Sequence, residues 1–293
     1  MNIIDISTSD LESLRTRARD IKLMATDLDG TLLDSTHAIR EETRRALSGI
    51  VDKGIILAVA TGRARSSIPE TVVTLPGMKY LVTANGAKVF LNETNELVHE
   101  DYMNPDVFDF IRPFLRDPEV MVEVFWDGVP HVEESKYNAA REYGIPKWFS
   151  EYFFNSRSPV NDFENIVSEH MHEMENINFI FANEEVQTRV YNFLASGSGL
   201  YELTSSFPFN YEIGGIGVSK GAAVDIIARR EGISSEEVIS FGDQDNDVTM
   251  IEYAGIGVAT ANAAPRAYAA ADLITHDNEN EGVAAALKLL ELV

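Results

Sequence analysis

Three short, largely apolar runs near the start of the chain constrain its fold more than any other feature of the sequence. They lie at residues 22–26, 55–60 and 80–83, and polar and apolar side chains do not alternate within them. Such runs form strands covered on both faces, as in a parallel sheet between two layers of helices. A segment with helical spacing at 40–51 joins the first two runs, and Gly54 follows it as a C-cap glycine would. This order predicts a doubly wound, mainly parallel, Rossmann-like α/β domain.

The middle of the chain differs in composition from both ends. Residues 89–207 hold 21 of the 27 aromatic side chains, and with 22 acidic against 7 basic residues they carry −15 of the net charge of −23. We interpret this shift as a second domain of the α+β type. Its clearest predicted elements are strands at 121–125 and 179–182 and a helix at 184–194.

The α/β pattern returns near the C-terminus, which predicts one core made from both ends of the chain. We expect the core to comprise residues 1–88 and 208–293, with residues 89–207 inserted as a separate domain. Residues 1–20 form an extension before the first strand, with a helix predicted at 8–19, that either packs on the core or mediates contacts. The C-terminal helix and strands are predicted at 220–230, 237–241, 254–259 and 273–275.

Polar side chains follow directly after several of these predicted strands. Open α/β sheets place their active sites at the carboxyl ends of the strands, so we expect these side chains to meet. Gly30 would let the chain leave the first strand sharply. The polar clusters are Asp27 and Asp29 after the first strand, Thr61, Gly62 and Arg63 after the second, Asp243, Asn246 and Asp247 after a C-terminal strand, and Lys220 at the start of a helix.

These residue types together favour phosphoryl transfer. Strand alternation puts Asp27 and Asp29 on one side of the chain, where their repulsion would be relieved by a hard cation such as Mg²⁺. One Asp can attack phosphorus, a second can transfer protons, and Thr, Lys and backbone amides can hold the phosphoryl oxygens. Taken alone, the Asp pair could also be a turn cluster. The other clusters argue against that alternative.

At these residues the chain closely resembles the haloacid dehalogenase superfamily of phosphatases, in the Cof-type subfamily with a type IIB cap. The subfamily features are Asn85-Gly86-Ala87, a large insertion after it, and Ala261-Asn262-Ala263. The resemblance implies that residues 89–207 form a cap with an antiparallel sheet that sets specificity. The superfamily signatures are Asp-x-Asp-Gly-Thr-Leu at 27–32, Thr-Gly-Arg at 61–63, Gly-Val-Ser-Lys-Gly at 217–221 and Gly-Asp-x-x-Asn-Asp at 242–247.

The resemblance also implies a role for each of these residues. Asp27 would be the nucleophile and Asp29 the general acid and base, while Thr61 and Lys220 would bind the phosphoryl group. Lys220 would also separate Asp27 from Asp243. Mg²⁺ would be held by the Asp27 carboxylate, the Asp29 backbone carbonyl, Asp243 and, directly or through water, Asp247. Further candidates at the phosphate are Gly30, Gly62, Arg63, Asn85, Asn246 and Asn262.

Composition excludes several other classes of function. With 24 basic against 47 acidic residues, the chain is poorly suited to bind nucleic acid or an anionic membrane. It has no cysteine, and therefore no disulfide, thiolate nucleophile or thiolate metal ligand. No run is long enough to span a membrane, and the N-terminus does not resemble a signal peptide. We expect a cytoplasmic protein, either monomeric or dimeric.

The sequence therefore predicts a magnesium-dependent phosphatase that hydrolyses a small phosphorylated metabolite, such as a sugar phosphate, through an aspartyl-phosphate. Two alternatives remain open at this point. One is a phosphomutase or phosphotransferase on the same scaffold. The other is a catalytically idle binding or regulatory module.

Overall fold

The computed structural model describes residues 7–145 and 147–293, and at residues 147–149 it describes the backbone alone. Its strands are β1 (Leu23–Thr26), β2 (Ile56–Ala60), β3 (Met78–Thr83), β4 (Lys88–Leu91), β5 (Glu96–Glu100), β6 (Val120–Trp126), β7 (Val129–Glu133), β8 (Ser158–Val160), β9 (Asn176–Phe181), β10 (Glu202–Thr204), β11 (Asn210–Gly214), β12 (Val238–Gly242), β13 (Ile256–Ala259) and β14 (Leu273–Ile274). Its helices are α1 (Thr8–Ala18), α2 (Glu41–Asp52), α3 (Glu70–Val73), α4 (Asp106–Leu115), α5 (Glu134–Asn138), α6 (Lys147–Ser156), α7 (Phe163–Glu169), α8 (Glu184–Ser196), α9 (Lys220–Glu231), α10 (Val248–Tyr253), α11 (Pro265–Ala270) and α12 (Gly282–Leu289).

The first sheet forms the core and has the strand order β14-β13-β12-β1-β2-β3-β4-β5. All neighbours from β14 to β3 are parallel, and β4 and β5 add an antiparallel edge. Strand β1 lies between β2 and β12, so the two ends of the chain meet at the centre of the sheet. The predicted doubly wound, mainly parallel fold class is confirmed.

The central strands are apolar throughout because both faces of the sheet are covered. Met24 of β1 packs in a cluster with residues of α2 and α12, whereas Leu23 and Ala25 point the other way, into a cluster with residues of α9. All four residues of β1 are buried. This two-sided burial explains why the sequence shows continuous runs rather than alternation.

The second sheet belongs to the inserted domain, here called the cap, and has the order β10-β11-β9-β6-β7-β8. Its pairings are antiparallel except for the edge pair β7 and β8. One face is covered by α4 and α8, which pack with Val122 and Val124 of β6. The other face includes Met121, Glu123 and Phe125: Met121 packs in a smaller apolar cluster with Phe153 of α6, whereas Phe125 packs with Ala64, Ala84 and Ala87 of the core domain.

Sheet membership gives a finer division of the chain than the sequence does. Strands β4 and β5 lie beyond residue 88 but pair with β3 in the core sheet, because the turn after β3 folds them back along it. Strand β11 lies beyond residue 207 but pairs with β9 in the cap sheet. We propose that the domains change where the chain leaves one sheet for the other, after residue 100 and after residue 214.

The described part of the N-terminal extension, from residue 7 onwards, packs on the core. Helix α1 buries Leu14 and Ala18 in the same apolar cluster as residues of α2 and α12. Arg15 donates a hydrogen bond from Nε to the carbonyl of Leu289, at 3.0 Å. Within the described part of the chain, no helix is both long and apolar enough to cross a membrane.

Because Leu14 is only 1% exposed, we expect Leu14→Ala to lower the free energy of unfolding by about 2–5 kcal/mol, the usual cost of such a truncation in a core. Urea denaturation followed by circular dichroism would measure this. Ser13→Ala, at an exposed position of the same helix, is the control and should change stability little. Equal effects of the two substitutions would contradict the packing of α1 on the core.

Candidate active site

The first signature lies where β1 ends and the chain turns sharply. The backbone N–H of Asp27 continues the sheet pairing by donating to the carbonyl of Phe241, at 2.9 Å. Gly30 then adopts φ +84°, and a Cβ at this position would overlap the Asp243 carboxylate. A glycine is needed here both for its left-handed backbone and for this close approach. Thr31 donates its hydroxyl proton to Asp243 Oδ1, at 2.7 Å, and so ties the turn to β12.

The second group of acids follows β12. Asp247 Oδ2 accepts hydrogen bonds from the backbone N–H groups of Asp243, at 2.8 Å, and Gln244, at 2.9 Å. The Gln244 side chain in turn donates to Asp243 Oδ2, at 3.0 Å. The loop after β12 therefore holds its two carboxylates in fixed positions.

Three buried carboxylates meet between these two loops. Asp27, Asp243 and Asp247 each offer an oxygen within 4.8 Å of the other two. Burial and the charge of Asp247 raise the pKa of Asp27 well above its ordinary value. The same two causes raise the pKa of Asp243 to about 7, against the hydrogen bond from Thr31. Such a group is stabilised by a hard cation with oxygen ligands, so the donor set fits a divalent ion such as Mg²⁺.

Lys220 supplies the positive charge inside this group. Its Nζ lies 2.7 Å from Asp27 Oδ1 and 2.6 Å from Asp247 Oδ1, and the side chain is buried. Burial alone would lower the pKa of Lys220, but the Asp247 and Asp27 carboxylates raise it above its ordinary value. Lys220 thus contacts Asp27 and Asp247, and its expected role in shielding Asp27 from Asp243 stays a prediction.

Asp29 does not join the carboxylate cluster, because its side chain pairs with Arg63. The guanidinium donates from Nε to Oδ2 and from Nη2 to Oδ1, both at 2.6 Å. His37, with φ 58°, places Nδ1 3.5 Å from Asp29 Oδ1. Although burial raises the pKa of Asp29, the charge and hydrogen bonds of Arg63 hold it well below its usual range. In this arrangement Asp29 is a carboxylate.

The remaining predicted residues surround the same point. Thr61 Oγ1 accepts from the backbone N–H of Arg63 at 3.1 Å, within the turn that Gly62 completes. Asn246 donates from Nδ2 to Asn85 Oδ1 at 3.0 Å, while its own Oδ1 is buried without a partner. Asn262 donates to the carbonyl of Gly30 at 2.9 Å. The structure thus brings every predicted site residue together, while their roles remain proposals.

A cavity lies directly in front of these residues, between the core and the cap. Its core-side lining includes Asp27, Asp29, Thr61, Gly62, Arg63 and Asn246, and its cap-side lining includes Phe125, Tyr152, Arg157, Asn178, Ser206 and Glu212.

Sequence reasoning missed most of the cap-side residues. One signal could have pointed to this face of the cap sheet: Glu123, Asn176 and Asn178 interrupt strands that are otherwise apolar, and Asn178 lines the cavity. Tyr152 stacks its ring 4.1 Å from the Arg63 guanidinium carbon. Trp126 packs in the cap interior, and the side chain of Trp148 lies outside the described residues.

Comparisons with known proteins agree with this geometry. A family model described as haloacid dehalogenase-like hydrolase matches residues 24–287. The 5-amino-6-(5-phospho-D-ribitylamino)uracil phosphatase of Bacillus subtilis (strain 168) is 30% identical over 273 residues, which cover 92% of this chain and 95% of that protein. The HMP-PP phosphatase of Enterobacter sp. (strain 638) is 27% identical, over 84% of this chain and 86% of its own length. Among solved structures, a haloacid dehalogenase subclass IIB sugar phosphatase matches with a TM-score of 0.79 and 26% identity, over 93% of this chain and 100% of that one.

The raised pKa of Asp243 predicts opposite effects of pH and of a divalent cation on stability. Without a cation, folded Asp243 keeps its proton up to pH about 7, whereas the unfolded chain releases it near pH 3.9. The stability that this proton provides is complete below the unfolded pKa and is lost as pH rises through the folded one. Mg²⁺ competes with the proton, so we expect it to raise the melting temperature more at pH 8 than at pH 5.

Thermal unfolding with Mg²⁺ or with a chelator, at both pH values, tests this. The control is Asp243→Asn, which cannot titrate and should lose most of the gain from Mg²⁺ and part of the pH dependence. An equal gain from Mg²⁺ in the variant would show that the cation binds elsewhere.

Proposed function

The chain belongs to the haloacid dehalogenase-like hydrolases and is a phosphatase of that family. We propose that it hydrolyses a small phosphorylated metabolite through an aspartyl-phosphate on Asp27. The observation that carries the proposal is the position of the Asp27 carboxylate. It lines the cavity, contacts Lys220 at 2.7 Å, and lies within 4.8 Å of two further acids that suit a divalent cation.

In the first half of the proposed reaction, an Asp27 carboxylate oxygen attacks phosphorus and the ester P–O bond breaks. Asp29 gives a proton to the departing oxygen, which leaves as an alcohol. In the second half, Asp29 takes a proton from water, whose oxygen attacks the same phosphorus. Phosphate leaves and the Asp27 carboxylate is restored.

The ion pair with Arg63 suits Asp29 to the second half of this reaction, because it keeps the side chain ionised and able to accept a proton. For the first half, Asp29 must carry a proton and therefore lose that contact. We propose that the phosphoryl group of the substrate competes for Arg63, as expected of a guanidinium near a phosphate. Substrate binding would thereby release Asp29 to protonate the leaving oxygen.

The other polar groups would hold the phosphoryl oxygens. We propose this role for Lys220 and Thr61, with Gly62, Asn246 and Asn85 beside them. Gly30 and Asn262 would maintain the turn that carries Asp29. Mg²⁺ would be held by Asp27, Asp243, Asp247 and the backbone carbonyl of Asp29, and would supply charge neutralisation at the phosphoryl group.

We propose a sugar phosphate or a related compound as the substrate. The named substrates of the relatives, a ribitylaminouracil phosphate and a sugar phosphate, support this class, while the HMP-PP phosphatase shows that related chains also act on a diphosphate. The cap closes the far side of the cavity and would select the leaving group while excluding water. A cytoplasmic location and a monomeric or dimeric state stay predictions.

A phosphomutase or phosphotransferase is the main alternative, since it would use the same aspartyl-phosphate and pass it to an alcohol. Product analysis separates the two. In the presence of an added alcohol, free phosphate favours the hydrolase, and a new phosphate ester favours the transferase. A catalytically idle binding module would give neither product.

The central test is hydrolysis of an aryl phosphate with Mg²⁺. We expect Asp27→Asn to lower kcat by about a thousandfold or more, because the amide cannot attack phosphorus. A chelator should abolish the activity of the wild type. Release of phosphate would be measured at saturating substrate.

The matched control is Asp245→Asn, in the same loop as Asp243, where the acid pairs with Arg266 at 3.3 Å outside the cavity lining. It should keep most of the activity. Full activity of Asp27→Asn would refute the nucleophile, and full activity in chelator would refute the cation.

A further inference from the structure

The cap presents a row of polar side chains to the cavity. Glu123, Asn178 and Glu212 are direct cross-strand partners on β6, β9 and β11, so their side chains lie side by side on one face of the sheet. All three are buried, at 0%, 4% and 5% exposure. Asn178 and Glu212 line the cavity that also contains Asp27 and Asp29. This face lies where the leaving group of a phosphoester would extend from the core.

Among the described residues of the cap, Arg157 places a guanidinium at this cavity, and that guanidinium is already neutralised. Arg157 donates from Nε to Glu123 Oε1 at 2.7 Å and from Nη2 to Glu123 Oε2 at 3.2 Å. Asn178 adds a hydrogen bond to Glu123 Oε2 at 2.9 Å. A buried, two-point ion pair of this kind leaves little positive charge for an anion in the cavity.

Glu212, by contrast, is surrounded by uncharged donors. Its carboxylate accepts hydrogen bonds from the side chains of Ser206, Asn210 and, across the domain interface, Asn85. Among the described residues, no Lys or Arg forms an ion pair with it. The cap side of the cavity therefore carries one uncompensated negative charge.

Opposite Glu212, the core side of the cavity offers a further acceptor. Asn246 is 8% exposed and lines the cavity, and its Oδ1 has no hydrogen-bond partner. An acceptor buried in this way is satisfied by a ligand that brings a donor. The negative charge on the cap side and the free acceptor on the core side thus both favour a ligand that donates hydrogen bonds and carries no further negative charge.

We infer that the cap-side wall is a leaving-group subsite that selects phosphomonoesters whose leaving group is uncharged and bears hydroxyl groups, that it rejects a leaving group with a second anionic group, and that Glu212 sets this selectivity. The inference rests on the proposed phosphatase activity. Hydroxyl groups donate to Glu212 and to Asn246 Oδ1. A carboxylate or second phosphate in the same place is repelled by Glu212 in a poorly screened cavity.

Two aryl phosphates with the same ring and phosphate but different para substituents test the inference. The para substituent of para-hydroxymethylphenyl phosphate, here called the neutral compound, is uncharged and donates a hydrogen bond, whereas that of para-carboxyphenyl phosphate is anionic. The carboxylate does not make the phenol a poorer leaving group, so intrinsic chemistry does not favour the neutral compound. We expect the wild type with Mg²⁺ to show a kcat/KM at least about tenfold higher for the neutral compound, the effect of one like charge nearby.

The variants should change this ratio in opposite directions. Glu212→Gln removes the charge and should reduce the ratio at least about threefold, while Asn178→Asp adds a charge on the same wall and should increase it. Glu185→Gln is the control, because it removes the same charge from the exposed first turn of α8. It should leave the ratio unchanged.

Each outcome decides a different claim. Equal kcat/KM values for the two compounds in the wild type overturn the charge selectivity while leaving the phosphatase intact. If Glu212→Gln folds, as judged by circular dichroism, but keeps the wild-type ratio, Glu212 does not set the selectivity. If Glu212→Gln does not fold, the inference is tested by the kcat/KM ratio of the wild type and by the change in that ratio in Asn178→Asp. Failure to hydrolyse either compound overturns the proposed function and the inference with it.

Discussion

One buried ammonium group, that of Lys220, allows the acidic loops of the core to lie side by side. It contacts Asp27 and Asp247 directly, and without it three carboxylates would be buried together with no positive charge among them. When all three carboxylates are ionised, three negative charges against one leave a net charge of −2, which is the charge that a divalent cation neutralises. Asp29 stands outside this balance because Arg63 neutralises it separately.

The parallel sheet makes this arrangement possible, since it ends β1 and β12 at the same edge although they are far apart in the chain. The cap then adds contacts from the other side. Glu212 accepts from Asn85, and Tyr152 lies on Arg63. A change in the position of the cap would therefore act on Asn85 and Arg63. Asn85 is hydrogen-bonded to Asn246, and Arg63 is hydrogen-bonded to Asp29, the proposed general acid and base.

The sequence predicted the core well because its information is local. The apolar runs predicted strands β1, β2 and β12, which are buried on both faces of the sheet. The motifs that follow these runs predicted the polar residues at the ends of the strands. It could not decide which charges pair. That Lys220 meets Asp247 and that Arg63 holds Asp29 depends on side-chain positions across different strands.

The sequence also failed where two domains meet. The edge strands β4 and β5 carry polar residues, so composition alone did not assign them to the core sheet. The residues of the cap that face the cavity come from several strands of the second sheet, from α6 and from loops. Their shared surface exists only once both sheets have formed and packed together.

The place of β1 between β2 and β12 has a consequence for the order of events during synthesis. The strand that bears Asp27 leaves the ribosome early, but its neighbour β12 and the acids after it follow only when the whole cap has been made. A nascent chain therefore holds a central strand that can pair on one side only, with β2, and an incomplete acidic cluster for most of its elongation. The cap has its own sheet and can fold in that interval as a unit. The catalytic centre would then assemble only after the cap, and a truncated chain that ends before residue 238 would lack it.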